Sequence, residues 1–267
     1  MSRPHSHLFE VEAVFPGGHD ELIISLPVWT PGSYLVREYS RHVQDFTGGV
    51  TFERLDKRSY RLETRGKPVT CSWKVYANEL TVRTSHLDGT HGYFNGATMF
   101  FYAENQRRNP CHVVIDAPEG WRTSVALDPL DGGYIAKDYD ELVDSPFEIG
   151  THTPLHFTAA GVPHEVVLWG EPQLDEKKLV TDLARIVETE AAIFGGLPMK
   201  RYVFFVYASD KGRGGLEHKA STALIYPRTG FASSKGWVSQ EEKVRDSLAA
   251  GFSGAVKVAG QPDPRGE

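Results

Sequence analysis

Alternating hydrophobic and polar positions dominate the first two thirds of the chain. Apolar residues recur at every second position from Phe9 to Ala13 and again from Leu22 to Leu26, with a Gly17-Gly18 turn between them. This spacing predicts a hairpin of two strands. Further stretches of the same period bring the total to about ten short strands with no convincing helix. Residues 1–170 are therefore predicted to form an all-β N-terminal domain, either a sandwich or a curved sheet.

The hydrophobic period changes near Glu171-Pro172. The apolar residues that follow share one stripe of an α-helix: Leu179, Leu183, Ile186, Val187, Ala191 and Phe194. Asp175 and Glu176 suit the positive end of this helix, and Gly195-Gly196 ends it. The shift in period predicts a domain boundary at 165–175.

A buried strand and a polar strand are predicted after the helix. Residues 202–207 are apolar on both faces, which is typical of a central strand. A loop at 210–215 leads to a second, more polar strand at 216–226. Residues 171–237 thus predict the start of an α+β domain. The tail, 238–267, is predicted to form a short helix at 238–250 followed by a partly disordered Gly/Pro-rich end.

Composition and charge exclude several classes of function. The formal net charge is -6 and no basic run occurs, so the chain is not predicted to bind nucleic acid or an anionic membrane. No secretory signal and no apolar run of roughly 20 residues is visible. The two cysteines, Cys71 and Cys111, are too few for a disulfide framework and predict buried thiols in a cytoplasmic protein.

Common catalytic motifs are missing from the sequence. It contains no nucleotide-binding glycine motif and no H-E-x-x-H. Ser253 lies in a sequence resembling a nucleophile elbow, but the final glycine is absent. His152 and His156 have helical spacing for a metal, yet Pro154 between them disfavours a helix. We therefore predict no catalytic residue and no metal ligand in this chain.

An unusual charged and aromatic segment runs from Pro27 to Val43. Pro31-Gly32 favours a tight turn, and Arg37 and Arg41 lie among aromatic residues. Two interpretations stay open. The segment is a structural corner whose arginines satisfy carbonyl or carboxylate groups, or it contacts a neighbouring domain or a substrate.

A second segment, Gly214 to Ser221, could bind a peptide. Gly214 and Gly215 precede the polar strand and allow another backbone to approach, so a peptide could add to that edge. Glu217 would then lie where the peptide begins and hold its protonated amino terminus. The alternative is an exposed glycine loop with a solvated Glu217-His218-Lys219 face.

Both segments resemble the glycyl aminopeptidase family of zinc metallopeptidases, which is often found with a PDZ domain. W-T-P-G-S-Y-L-V-R-E-Y-S-R-H-V, at residues 29–43, is similar to that family's signature, and G-G-L-E-H, at 214–218, to its second landmark. The resemblance implies a β-domain followed by a thermolysin-like catalytic domain. It also implies that Glu217, with Gly214, Gly215, Leu216 and His218, binds peptide substrates with a free amino terminus.

The sequence departs from the family pattern after Trp237. There the family has a helix bearing H-E-x-x-H, whose histidines and a downstream glutamate bind zinc, whereas this chain has V-S-Q-E-E-K-V-R-D-S. Truncation, a shifted reading frame and a divergent pseudoenzyme are all compatible with this tail. We expect no zinc on this chain and no hydrolysis, and exposed apolar surface on the 202–207 strand is expected to drive self-association. The alternative function is a non-catalytic module that binds peptides or a partner.

Overall fold

The computed structural model describes residues 1–33, 35–172, 174–210 and 212–228. The chain divides into two compact units, the first comprising Met1–Thr123 with Leu127–Thr151, and the second comprising Ser124–Ala126 with the residues from His152 onward. The predicted tail, with its 238–250 helix and Ser253, lies outside the described residues. The predicted boundary at 165–175 stays a prediction.

Short strands are the main regular elements of the chain as far as residue 150. They are β1 (Leu8–Phe15), β2 (Glu21–Ser25), β3 (Val43–Thr47), β4 (Phe52–Arg54), β5 (Ser59–Glu63), β6 (Val69–Tyr76), β7 (Ser85–Leu87), β8 (His91–Phe94), β9 (Tyr102–Ala103), β10 (Cys111–Val113), β11 (Arg122–Ser124), β12 (Asp128–Leu130), β13 (Gly133–Ala136) and β14 (Phe147–Gly150). Among the described residues they form four sheets, ordered β1-β6-β3, β4-β5-β2-β9, β11-β14-β8-β7 and β10-β13-β12. The predicted all-β class of the N-terminal part is confirmed.

The predicted hairpin of the first two strands is wrong. β1 pairs with β6 over eight residues, and β2 pairs with β5 and β9. The reason lies in the loops. Gly18 donates its N–H to the Gly66 carbonyl, and Gly66 donates to the His19 carbonyl, so these loops hydrogen-bond to each other. A side chain at Gly17 would meet the Gly66 carbonyl oxygen at 2.5 Å, which makes glycine necessary there.

Two short helices, which the alternation did not predict, lie among these strands. They are α1 (Gly96–Met99) and α2 (Tyr139–Val143). Asn95 caps the first by accepting from the Ala97 N–H, and Asp138 caps the second by accepting from the Glu141 N–H. Three 3₁₀ turns at Pro4–Ser6, Tyr39–His42 and Glu104–Gln106 complete the connections. All are one-turn elements, too short to show a helical period.

The second unit contains a five-stranded sheet and one long helix. The strands are β15 (Leu155–Ala159), β16 (Val162–Trp169), β17 (Tyr202–Ser209), β18 (Gly214–Glu217) and β19 (Ser221–Pro227), in the order β15-β16-β17-β19-β18. β17 pairs in parallel with β16 and with β19, while the outer pairs are antiparallel. The polar strand predicted at 216–226 is instead a hairpin of two strands, because the chain reverses between Glu217 and Ser221.

Helix α3 (Glu176–Phe194) connects the parallel strands β16 and β17. Asp175 caps its start and Gly195, in the left-handed conformation, ends it, both as expected. Leu183, Val187 and Ala191 of the predicted stripe are buried. Phe194 is not, because it lies in the last turn and is 41% exposed.

Strand β17 forms the centre of the second core. Residues 202–208 are each at most 2% exposed, which confirms the predicted central strand. The expectation that this strand presents exposed apolar surface is therefore wrong, and self-association stays a prediction. Gly170, directly after β16, has φ +88° and passes so close to the Ala208 carbonyl that a Cβ would lie 2.0 Å from its oxygen.

Both cysteines are free thiols. Cys71 is buried, and burial raises the pKa of its thiol to about 12. Cys111 is only half-buried, and its pKa is raised to about 11 by burial and by Asp138. Among the described helices, none has the length and apolar character needed to cross a bilayer.

His164 on β16 predicts a pH-dependent stability of the second unit. Its ring is 2% exposed and stacks on Phe157, and burial lowers its pKa from 6.5 to about 4, although a hydrogen bond from Nδ1 to the Val162 carbonyl opposes the shift. The unfolded chain therefore binds a proton that the folded unit excludes as the pH falls from about 7 to about 4. Stability should fall over that window, by about 3 kcal/mol at most.

The check is urea unfolding of the native chain, His164→Phe and the exposed control His156→Gln at several pH values. His164→Phe should flatten the dependence of the unfolding free energy on pH, whereas His156→Gln should leave it unchanged. Parallel curves for the native chain and His164→Phe would contradict this origin of the dependence.

Candidate functional site

The five residues predicted to bind a peptide lie at one end of the second sheet. Gly214, Gly215, Leu216 and Glu217 form β18, the last strand in the order of the described sheet, and His218 begins the turn to β19. β18 pairs with β19 from Gly214↔Ile225 to Glu217↔Thr222. One side of β18 thus takes part in a described ladder, and within the described residues no strand pairs with its other side.

Side chains on β18 alternate between the two faces of the sheet. Leu216 is fully buried and pairs with Ala223, so its side chain belongs to the core and only its backbone could meet a peptide. Gly215 shares a face with Glu217. A Cβ at Gly215 would lie 3.1 Å from a methyl group of Leu224, so this glycine lets the strand approach β19 closely.

The carboxylate of Glu217 has no partner among the described residues. It is half-buried, and within the described part of the chain its side chain makes no ion pair and no hydrogen bond. A carboxylate partly removed from water without a cation is unfavourable unless a charged group arrives. This position suits a protonated amine, which could donate charge-assisted hydrogen bonds.

The burial of His218 does not fit the alternative interpretation, in which Glu217, His218 and Lys219 form a solvated face. Its side chain is 1% exposed, and its N–H donates to the Ser221 carbonyl across the turn. The Glu217-His218-Lys219 run is therefore not a uniformly solvated face, because the histidine points into the protein. Close by, the Ser221 hydroxyl is buried and has no hydrogen-bond partner among the described residues.

The Trp29–Val43 segment lies wholly in the first unit. Arg41 forms an ion pair with Glu79 at 2.8 Å, which fits the interpretation of a structural corner. Thr30 donates a hydrogen bond to Asn95 Oδ1 at 2.9 Å, and both side chains are fully buried. Burial raises the pKa of Tyr39 to about 12, against the opposing effect of Arg37 and Arg83. The interpretation as a contact surface stays a prediction.

The described residues near β18 do not supply a zinc site. In the part of the chain that the structure describes, the one group of three potential ligands close enough to share an ion is His86, Asp88 and His91, in the first unit. This group was not predicted from the sequence. Its signal is the H-L-D-G-T-H run around the Asp88-Gly89 turn, where two histidines and an aspartate meet within six positions.

A search against protein families matches residues 1–151 to the peptidase M61 N-terminal domain. The match covers more than half of the chain. The chain belongs to this family, which is related to the metallopeptidases. The matched residues include the Trp29–Val43 segment, and they end where the second unit continues with β15.

Solved structures agree with this assignment. The chain is 30% identical to an aminopeptidase N family protein from Idiomarina loihiensis, with a TM-score of 0.86 over 93% of this chain and 46% of that one. It is 12% identical to Legionella pneumophila aminopeptidase A in complex with aspartic acid, with a TM-score of 0.51 over 92% of this chain and 32% of that one. The second likeness concerns the fold alone. A search of curated proteins finds no match.

The chain spans less than half the length of both structural relatives. The Idiomarina protein nevertheless aligns over nearly the whole of this chain. This chain therefore aligns with one part of each of these two longer proteins.

Proposed function

We propose that this M61 chain supplies the peptide-binding edge of a zinc metallo-aminopeptidase of the glycyl aminopeptidase type, which releases N-terminal residues such as glycine or alanine. The observation that carries the proposal is the half-buried Glu217 carboxylate, which has no partner among the described residues and lies at the end of β18, the outer strand of the described sheet. Membership of the metallopeptidase-related family supports it. The association with a PDZ domain stays a prediction.

In this proposal an extended peptide adds beside β18 by main-chain hydrogen bonds. Gly214 and Gly215 carry no side chains that would block an approaching backbone. Leu216, anchored in the core, holds the strand at its position. The ladder provides affinity that is independent of sequence, as in other cases of strand addition.

Glu217 fixes the register of the peptide in this proposal. A carboxylate at the end of the strand binds an ammonium group by charge-assisted hydrogen bonds, each worth about 1.5–3 kcal/mol when made to a charged partner. An acetylated terminus has no charge to offer and would leave the carboxylate unpaired. The first residue of the peptide is thereby placed at Glu217, as an aminopeptidase requires.

Zinc would supply an activated water to such an enzyme when bound. The residues described near β18 do not fit a zinc site, and the sequence contains no H-E-x-x-H. No catalytic step is therefore assigned to this chain. We propose that the 267-residue chain alone binds peptides and does not hydrolyse them, and that it acts in the cytoplasm, which its two free thiols support.

Replacement of Glu217 should separate recognition of the amine from strand addition. Glu217→Gln should weaken binding of a glycyl or alanyl tripeptide with a free amino terminus about tenfold to a hundredfold, because one charge-assisted hydrogen bond is replaced. Binding of the N-acetylated tripeptide should be weak in the native chain and unchanged in the variant. Isothermal titration calorimetry measures both, with the exposed helix variant Glu188→Gln as the matched control.

Equal affinity for the free and the acetylated peptide, unaffected by Glu217→Gln, would contradict amine recognition. It would favour the alternative function, a non-catalytic module that binds peptides or a partner through the edge of β18. The solitary position of Glu217 favours the amine-specific outcome.

The purified chain should show no turnover of alanyl- or glycyl-anilides, with or without added zinc. The reason is the missing ligand set near β18. Release of the anilide chromophore measures turnover, and a parallel reaction with a chelator is the control. Chelator-sensitive hydrolysis at more than trace rate would overturn the proposed inactivity while leaving the peptide-binding test intact.

A further inference from the structure

Two histidines and an aspartate converge on one face of the β7–β8 hairpin in the first unit. His86 lies on β7, Asp88 follows directly after that strand, and His91 is the first residue of β8. Asp88 donates its N–H to the His91 carbonyl, which brings the two ends of the turn opposite each other. One ligand atom from each of the three side chains lies within 4.8 Å of the others.

The two imidazoles face each other directly. His86 Nδ1 lies 2.9 Å from His91 Nε2. Two nitrogens bound to one tetrahedral zinc ion at 2.0–2.1 Å would be about 3.3 Å apart. The observed separation is therefore only a few tenths of an ångström shorter than a metal would need, and a small rotation of either ring would open it.

The buried carboxylate of Glu148 contacts the His91 ring on the nitrogen that does not face His86. His91 Nδ1 lies 2.8 Å from Glu148 Oε1, and the side chains are 1% and 0% exposed. Glu148 is on β14, the strand paired with β8, so the sheet itself holds it there. A carboxylate that accepts from the outer nitrogen of a histidine orients the other nitrogen toward a metal and makes it more basic.

One carboxylate oxygen of Asp88 accepts hydrogen bonds from the turn, and the other accepts none from the described residues. Its Oδ1 accepts hydrogen bonds from the Thr90 N–H and hydroxyl at 2.7 Å and from the His91 N–H at 3.1 Å. Oδ2 makes no hydrogen bond within the described structure. The hydrogen bonds to Oδ1 therefore fix the position of the carboxylate and leave Oδ2 as the third ligand atom.

We infer that His86, Asp88 and His91 form a binding site for a divalent transition-metal ion, with Glu148 orienting His91. Two imidazole nitrogens and one carboxylate oxygen, with a fourth position for water, are the donor set that zinc prefers. The ion would join the two strands of the hairpin across its turn. This site is distinct from any zinc site near β18 and does not depend on the proposed function. It differs from the sequence-based expectation that the chain binds no metal.

The test uses the untagged 267-residue chain and Zn²⁺ alone, titrated by calorimetry at pH 7.5 after treatment with a chelator. One equivalent should bind, and Co²⁺ in its place should give the visible absorption of a tetrahedral site. Mg²⁺ should not compete, because it prefers oxygen ligands. His86→Gln should weaken Zn²⁺ binding at least a hundredfold, and Asp88→Asn at least tenfold, because each removes one ligand.

Matched controls are His19→Gln and Asp131→Asn, which change the same residue types at exposed positions elsewhere in the first unit. They should bind Zn²⁺ like the native chain. Circular dichroism checks that the variants fold, and Asp88→Asn retains an oxygen able to accept from Thr90. Failure of the native chain to bind one equivalent would overturn the site, and so would Zn²⁺ binding that His86→Gln and Asp88→Asn leave unchanged.

Discussion

The double parallel pairing of β17 is the constraint on which the second unit depends. A strand that is hydrogen-bonded in parallel on both sides and buried on both faces needs a connection long enough to carry the chain back to the same end of the sheet. Helix α3 provides that connection from β16 and covers one face with Leu183, Val187 and Ala191. Only the antiparallel strands β15 and β18 are then left for the outer positions of the described sheet.

The chemistry proposed for Glu217 follows from that arrangement. β18 is short and begins with two glycines, so it contributes little packing of its own and relies on β19 for its position. The backbone that carries the Glu217 carboxylate is held in place by the core. The carboxylate itself makes no hydrogen bond or ion pair with the described residues. Recognition of a chain end at an edge strand needs this combination of rigid backbone and uncommitted charge.

Elements with a long or pure hydrophobic pattern were predictable from the sequence. The stripe of α3 and the two-sided apolar run of β17 each specify one environment, and both lie where the pattern indicates. Pairing partners were not predictable, because alternation tells which face of a strand is buried but not which strand lies beside it. Leu8–Phe15 alternates equally well against Val69–Tyr76 and against its neighbour in sequence, and loop contacts at Gly18 and Gly66 decide between them.

The candidate sites differ in the same way. Glu217 could be singled out because glycines and a carboxylate are adjacent in sequence. The role of Glu148 could not, since it is 57 residues from His91 and meets it only through the pairing of β14 with β8. Nothing in the local sequence distinguishes this buried glutamate from an exposed one.

The pairing of β1 with β6 has a consequence for synthesis of the chain. The partners are separated by about 60 residues, so at 5–20 residues per second the first strand waits about 3–12 seconds for its neighbour to leave the ribosome. Through that interval Phe9 and Phe15, both buried in the finished protein, have no sheet to enter. Strand β1 is thus an aggregation-prone segment of the nascent chain until translation has passed Tyr76.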